Sequence, residues 1–311
     1  MRQAQGGTDD NSQQRLCKHS RRQRPALREL TMTDLIIDHV LIAVRDLDTA
    51  KDTFERLGFK VTPEGRHPGR GTSNRLVVFG GEYLELIAVR DPEGDLFRPN
   101  LPSFLDEREG LFIFSMGTPD VHGRARSVRE AGVLITDPVK GSRQAADGTT
   151  AYSWTQAEID PEAMPGSQTF FIQHDHTIEE RYTEPPDPTN HPNGVNGISS
   201  LSLAVKDADA AERRWTEVFG LERVSEEDGG VQLGFDNSSL EFCQPVGGNA
   251  LGEFIETWGE GPYRIVFSCE DLDATEALLK RNGVEGVERC GGCLSVPSES
   301  AQGVRMSFVQ G

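Results

Sequence analysis

The chain reads as an α+β protein built from four βαβββ modules in tandem, paired into two domains with cupped mixed sheets. Three observations lead there. The segment Ile37-Asp-His-Val-Leu-Ile-Ala-Val-Arg-Asp-Leu-Asp48 returns as Ile198-Ser-Ser-Leu-Ser-Leu-Ala-Val-Lys-Asp-Ala-Asp209 at a constant offset of 161 residues, the internal repeat that decides an architecture. After each copy come short apolar runs broken by Gly, Asn or Asp, the pattern of strands and turns. Two weaker copies of the strand-helix opening interleave, at Leu111 to Met116 with Asp120 and at Tyr263 to Ser268 with Asp271.

Each opening strand ends near an Asp whose side chain can accept from the first free N–H groups of a helix. Ala50, Phe54 and Leu57 then recur at i, i+4, i+7, and Ala211, Trp215 and Val218 repeat them in the second copy, so one face of each helix enters the core. Gly58 and Gly220 follow the last turns, where a left-handed cap favours glycine. Arg75 to Phe79 and Tyr83 to Ala88 are the next strands of the first copy; Val231 to Phe235 and Leu240 to Cys243 are those of the second. In module two a polar stretch precedes the strand Thr169 to Gln173, and module four ends with a strand at Val304 to Val309.

The expected organisation is a disordered extension over 1–33, an N-terminal domain over 34–182, a proline-rich linker over 183–195 and a C-terminal domain over 196–311. The extension carries seven basic and three acidic residues in a chain of net charge -18. It has the low hydrophobicity of disorder and no apolar core of a secretory signal. Met32, directly before the first strand, is a second candidate start. The acidic body disfavours nucleic-acid binding. No apolar run is long enough to span a bilayer, so the expected location is the cytoplasm. An odd count of five cysteines there points to reduced thiols. Cys290-Gly-Gly-Cys293 has metal or redox spacing but no second pair to complete a zinc site.

The candidate site residues lie in the first two modules. Strand alternation places His39 on the face of Ile37, Leu41 and Ala43, and Glu85 on the face of Tyr83 and Ile87. A carboxylate on so apolar a strand needs a cationic partner, a metal ion or an Arg such as Arg75. The segment His67-Pro-Gly-Arg-Gly-Thr-Ser-Asn74 adds two glycines, a cationic pair in Arg66 and Arg70 suited to a carboxylate or phosphate, and the hydroxyl and amide of Thr72 and Asn74. His174 and His176 flank a strand end, His191 reads as a turn residue, and His122 as a solvated helix-start residue.

The Ile-Asp-His39-Val strand with its Asp-capped helix, the Leu-Gly-Phe59 helix exit and the Tyr83-Leu-Glu85-Leu strand resemble the vicinal-oxygen-chelate superfamily. That superfamily includes glyoxalase I, extradiol dioxygenases, and fosfomycin-resistance and bleomycin-binding proteins. The His67 to Asn74 motif, with Phe170-Phe-Ile-Gln-His174 and His191-Pro-Asn-Gly194, is similar to its glyoxalase-like domain proteins. The resemblance implies a divalent metal ion (zinc, iron, manganese or nickel) held by His39 and Glu85. It places Leu111 and Phe170 or Phe171, none of which can bind a metal, where module two would supply the other two ligands. His174 is the candidate third ligand. His39 and Glu85 are then also the catalytic residues of a lyase or isomerase. His67, Arg70, Gly71, Thr72, Asn74 and His174 would contact a small oxygenated substrate, in a monomer or homodimer. The alternative is a metal-free small-molecule binding protein of the same fold. In the second domain Glu241 matches Glu85, but Ser200 stands for His39 and Arg264 fills the corresponding place in module four, which points to a structural role or a degenerate partner.

Overall fold

The structure is a computed structural model that describes residues 34–96, 98–145, 147–181, 187–227 and 230–311. The extension over 1–33, with Met32, residue 182 and residues 183–186 of the proline-rich stretch lie outside the described residues.

The first module runs β1 (Ile36–Ala43), α1 (Leu47–Arg56), β2 (Gly65–Arg66), β3 (Thr72–Val78) and β4 (Tyr83–Val89), and a short helix α2 (Leu101–Glu107) leads to the second. The second runs β5 (Gly110–Gly117), α3 (Val121–Glu130), β6 (Val139–Gln144), β7 (Thr150–Glu158) and β8 (Thr169–His174), followed by the single turn α4 (Ile178–Arg181). Modules three and four repeat the plan. They comprise β9 (Val195–Ala204), α5 (Ala208–Phe219), β10 (Arg223–Glu227), β11 (Gly230–Gly234), β12 (Ser239–Cys243), α6 (Ala250–Trp258), β13 (Gly261–Cys269), α7 (Leu272–Arg281), β14 (Glu288–Cys290), β15 (Cys293–Val296) and β16 (Met306–Gln310). The polar stretch expected between α3 and β8 is thus two strands, β6 and β7. Their signal is the alternation of large and small residues in Tyr-Ser-Trp-Thr-Gln-Ala-Glu158.

All four module helices open on an aspartate. Asp46, Asp120, Asp207 and Asp271 each accept from a backbone N–H of the first turn, those of Thr49, Gly123, Ala210 and Ala274, a cap that contributes about 1 kcal/mol. Within each module the first and last strands pair in parallel, β1 with β4 and β9 with β12, and the modules join through antiparallel β1·β5 and β9·β13. The first sheet closes into a barrel of order β1-β4-β3-β2-β6-β7-β8-β5, where Arg66 of β2 pairs with Gln144 of β6. The second stays open, ending on β10 and β14. No helix among the described residues is long and apolar enough to cross a membrane.

The outer faces of both sheets and helices α1, α3, α5 and α7 share one continuous apolar core. Trp215 of α5 stacks on Phe114 of β5 and donates from Nε1 to the Pro165 carbonyl at 3.0 Å. Phe59, after α1, packs on Phe267 of β13. The two halves therefore bury their apolar surface against each other.

His191, read from sequence as a turn residue, is buried in this junction between Phe59 and Phe79. Its Nε2 donates to the Val78 carbonyl at 3.0 Å and its Nδ1 accepts from the Lys60 amide at 3.0 Å. A second ring proton would meet the Lys60 N–H. Burial accordingly holds its pKa down at about 4. The unfolded chain takes up this proton near pH 6.5 and the folded chain only near 4. His191 therefore stabilises the fold fully above pH 6.5, and its contribution falls as the pH drops toward 4, by roughly 1 kcal/mol per unit. NMR titration is expected to place the His191 midpoint near 4, and His191→Gln is expected to flatten the pH dependence of urea unfolding over that window.

Candidate functional site

The barrel interior holds two small apolar clusters with a polar site between them. Leu101 and Leu105 of α2 pack with Leu41, Ile87, Phe170 and Ile172 on one side, and Leu76, Val78, Tyr83 and Tyr152 form the other. Between them opens a cavity of about 50 Å³, with His39, His67, Asn74 and Glu85 among its lining residues. Alternation along β4 sends Tyr83, Glu85 and Ile87 inward while Leu84, Leu86 and Ala88 enter the shared core. Thr72 and Asn74 reach the cavity from β3, and Tyr152, Trp154 and Gln156 from β7.

β1 departs from simple alternation, and the expected company of His39 changes with it. Its pairing with β5 shifts register between Ile37, opposite Met116, and His39, opposite Ser115. Asp38 is the extra residue of a β-bulge, which re-aims the side chains that follow. Ile37 consequently packs in the shared core instead of on the cavity face of His39. The bulge also brings neighbours that alternation would separate into contact, with His39 Nδ1 2.7 Å from Asp38 Oδ1. Ser115 Oγ lies 2.7 Å from the same nitrogen. The imidazole stacks on Tyr83 at 4.5 Å between ring centres and receives the edge of Phe170. So held, its Nε2 faces Glu85 Oε2 at 3.5 Å.

Asp38 is buried and bridges two imidazoles, since His174 Nε2 lies 3.0 Å from its Oδ2. Burial works against its ionisation, but His174 and His39 outweigh that and hold its carboxyl far below the usual range.

Glu85 is held from the other side by an amide. Arg143 Nε donates to Asn74 Oδ1 at 2.9 Å, which leaves Asn74 Nδ2 to donate to Glu85 Oε1 at 2.7 Å and to His67 Nε2 at 3.2 Å. Since His67 Nε2 accepts, its Nδ1 carries the proton and donates to Thr72 Oγ1 at 2.9 Å. Burial lowers the His67 pKa, with Glu85 opposing and Arg143 reinforcing. Room for the Arg143 guanidinium comes from Gly65, where a Cβ would lie 2.2 Å from Arg143 Cζ.

Among the described residues no group of three or more His, Cys, Asp or Glu side chains is arranged to hold a metal ion. His67 Nε2 does lie 3.6 Å from Glu85 Oε1. The point where a cation would bridge them, however, is taken by the N–H groups of Asn74, whose orientation Arg143 dictates. That leaves His39 and Glu85 as two protein ligands, one short of the three that a catalytic zinc site keeps. The donor set does not fit a resident divalent metal.

His67, Thr72 and Asn74 line the cavity as the sequence reading placed them, but three other residues do not. Arg70 pairs with the exposed Asp95. Gly71 is backbone packing, its N–H donating to the Asp95 carbonyl and its carbonyl accepting from Arg90 and Asp91. His174 sits behind Asp38, away from Glu85. Leu111 and Phe171 belong to the shared core, so the cavity face of β8 is Phe170 and Ile172. Arg75 pairs outward with Asp48 and is no partner of Glu85. Sequence reasoning missed Asp38, Ser115 and Arg143. Asp38 is hidden by a bulge that no strand pattern announces, while Arg143 lies on β6, whose one signal in the sequence is the alternation of its partner strand β7.

The glyoxalase-like domain family matches residues 37–219, more than half of the chain. The chain belongs to the glyoxalase-like domain family. Residues 197–291 match the glyoxalase/bleomycin resistance protein/dioxygenase superfamily, so both halves of this glyoxalase-like protein carry the vicinal-oxygen-chelate fold. A comparison with proteins of curated function finds no match. Among solved structures, a hypothetical protein from Staphylococcus aureus aligns at 14% identity over 89% of this chain and 99% of its own, with a TM-score of 0.65. A variant of 4-hydroxymandelate synthase from Streptomyces coelicolor aligns at 12% over 88% and 92%, with a TM-score of 0.61. At these identities the likeness shows the two-domain fold alone.

The second half of the glyoxalase-like chain keeps the bulge, with β9 shifting register against β13 between Ile198 and Ser200, but Ser199 and Ser200 replace the Asp-His pair. Arg264 Nη2 lies 3.2 Å from Glu241 Oε2, a buried ion pair. Leu251 and Phe254 of α6 fill that cup beside Cys243 and Tyr263. Arg264→Ala leaves the Glu241 charge buried without its cation and is expected to cost about 3–5 kcal/mol. Asn74→Ala, which removes a neutral donor from Glu85, is expected to cost about 1–3 kcal/mol. Urea unfolding of the two variants measures the difference.

Proposed function

We propose that the N-terminal barrel binds a small oxygenated molecule and moves a proton on it with His39 and Glu85, as a lyase or isomerase that needs no resident metal ion. The observation that carries this reading is the pair of acceptors at the cavity. With the His39 ring proton on Nδ1 against Asp38, the Nε2 lone pair faces a carboxylate oxygen 3.5 Å away. Two acceptors so placed favour a ligand that brings a proton, from a hydroxyl or from carbon beside a carbonyl. An imidazole backed by a buried carboxylate is a general base of a familiar kind, worth roughly 10²–10⁴ in rate.

Around this pair, Tyr83, Tyr152, Trp154 and Phe170 supply apolar walls that exclude water from a small ligand. Asn74 holds Glu85 from behind and leaves Oε2 for the substrate. The network from Trp154 through Gln156 to Glu158, which also pairs with Arg98, fixes the wall opposite the dyad. A second reading, a small-molecule binding protein without catalysis, is favoured by the aromatic share of the lining.

Exchange of substrate protons in D2O separates the readings. A panel of small hydroxy- and oxo-carboxylates incubated with the protein and a chelator is expected to gain deuterium. Glu85→Gln and His39→Gln are each expected to slow this about 100-fold or more. Exchange that appears only after a divalent metal is added would overturn the metal-independent reading. Binding with no exchange would leave the binding protein.

A further inference from the structure

Outside the cavity, one charged group has an arrangement that its own strand does not require. Asp38 is buried at the bulge of β1 and stands between two imidazoles from distant parts of the chain. His39 Nδ1 lies 2.7 Å from Oδ1, and His174 Nε2, from the end of β8, lies 3.1 Å from Oδ1 and 3.0 Å from Oδ2. We infer that His174 is a positioning residue for His39, acting through Asp38 to keep the His39 lone pair on the nitrogen that faces the cavity. This rests on the reading of His39 as the group that moves the proton.

The argument is one of proton inventory. An ionised carboxylate has only acceptors, so each ring nitrogen against it must carry a proton. That sets His39 as the Nδ1–H tautomer and His174 as the Nε2–H tautomer, and a neutral His39 then has its lone pair at Nε2, toward Glu85. Ser115 Oγ at 2.7 Å is a further neighbour of His39 Nδ1, but a hydroxyl can donate as well as accept and does not by itself decide the tautomer. The decision belongs to the fixed charge of Asp38. Oδ2, which His39 does not reach, meets His174. Without that N–H, an oxygen buried away from water would lack its donor, and the carboxyl would turn or take up a proton. A neutral carboxyl can donate to His39 Nδ1, which moves the ring proton to Nε2 and removes the base. The residues flanking His174 are suited to holding it. Tyr152 packs on its ring, and Arg181 Nη1, 3.1 Å from Nε2, also lies 3.4 Å from Nδ1, the nitrogen that is free to accept from it in this tautomer.

The test is the tautomer of His39, read by two-bond nitrogen-proton correlation in the full-length chain with ¹⁵N-labelled histidine. In the wild type, His39 is expected to be protonated on Nδ1 and His174 on Nε2. In His174→Ala, His39 is expected to become a mixture of tautomers, and proton exchange on the carboxylate panel to fall about tenfold or more, the size of effect seen when a supporting partner is removed. His174→Gln returns an N–H donor to Asp38 and is expected to restore the spectrum and most of the exchange. A wild-type spectrum with the His39 proton on Nε2 overturns the inference even if His174→Ala fails to fold. A folded His174→Ala with an unchanged His39 spectrum overturns it as well. If the spectra are as expected while His39→Gln leaves exchange intact, the positioning stands and the catalytic reading of His39 falls.

Discussion

Burying a carboxylate inside an apolar barrel demands something protic or positive against it, and the choice of partner for Glu85 decides what the rest of the site can be. An isolated charge there would cost several kcal/mol even after relaxation. The chain meets this with the side-chain amide of Asn74 at 2.7 Å, itself oriented by Arg143. The equivalent carboxylate of the second half, Glu241, is met by Arg264. One fold thus holds the same acidic position in two ways. With an amide the carboxylate keeps an oxygen for the cavity. With a guanidinium and a filled cup it becomes part of the packing.

The other half of the site depends on the bulge at Asp38. A regular strand would send Asp38 and His39 to opposite faces. The extra residue turns them toward one another and moves Ile37 into the shared core. The second half of the chain supports this distortion. Asn237 receives the Ile37 N–H at 3.0 Å and donates to the Ile37 carbonyl at 2.9 Å. It thereby acts as a strand partner just where β4, which first pairs at His39, no longer reaches. Glu82 accepts the Ile198 N–H at 3.0 Å across the same junction, where burial raises its pKa. The closed barrel carries the polar site, and the open sheet braces the strand that shapes it.

Much of this architecture was legible in the residues. The repeat at an offset of 161, the four capping aspartates and the period of α1 and α5 are local signals with local causes, and they led to four modules and to the family. Alternation along β4 correctly grouped Tyr83, Glu85 and Ile87, because that strand is regular. The same rule misgrouped Ile37 because a bulge leaves no trace in hydropathy. Arg143 lay in a polar stretch to which no strand was assigned, because β6 is exposed on much of its length and lacks the apolar run of a buried strand. His174 was placed beside the metal by its nearness to the end of β8. Its actual partner became visible only when Asp38 turned.

The central claim is that an amide proton, and not a metal ion, occupies the bridge between His67 and Glu85. Calorimetric titration of the chelator-treated chain with Co²⁺ tests it most directly, with Asn74→Asp and His39→Ala alongside. The account predicts no saturable site at micromolar metal in the wild type and a new one in Asn74→Asp, where a fourth oxygen or nitrogen donor replaces the N–H. Stoichiometric micromolar binding by the wild type, lost in His39→Ala, would contradict it.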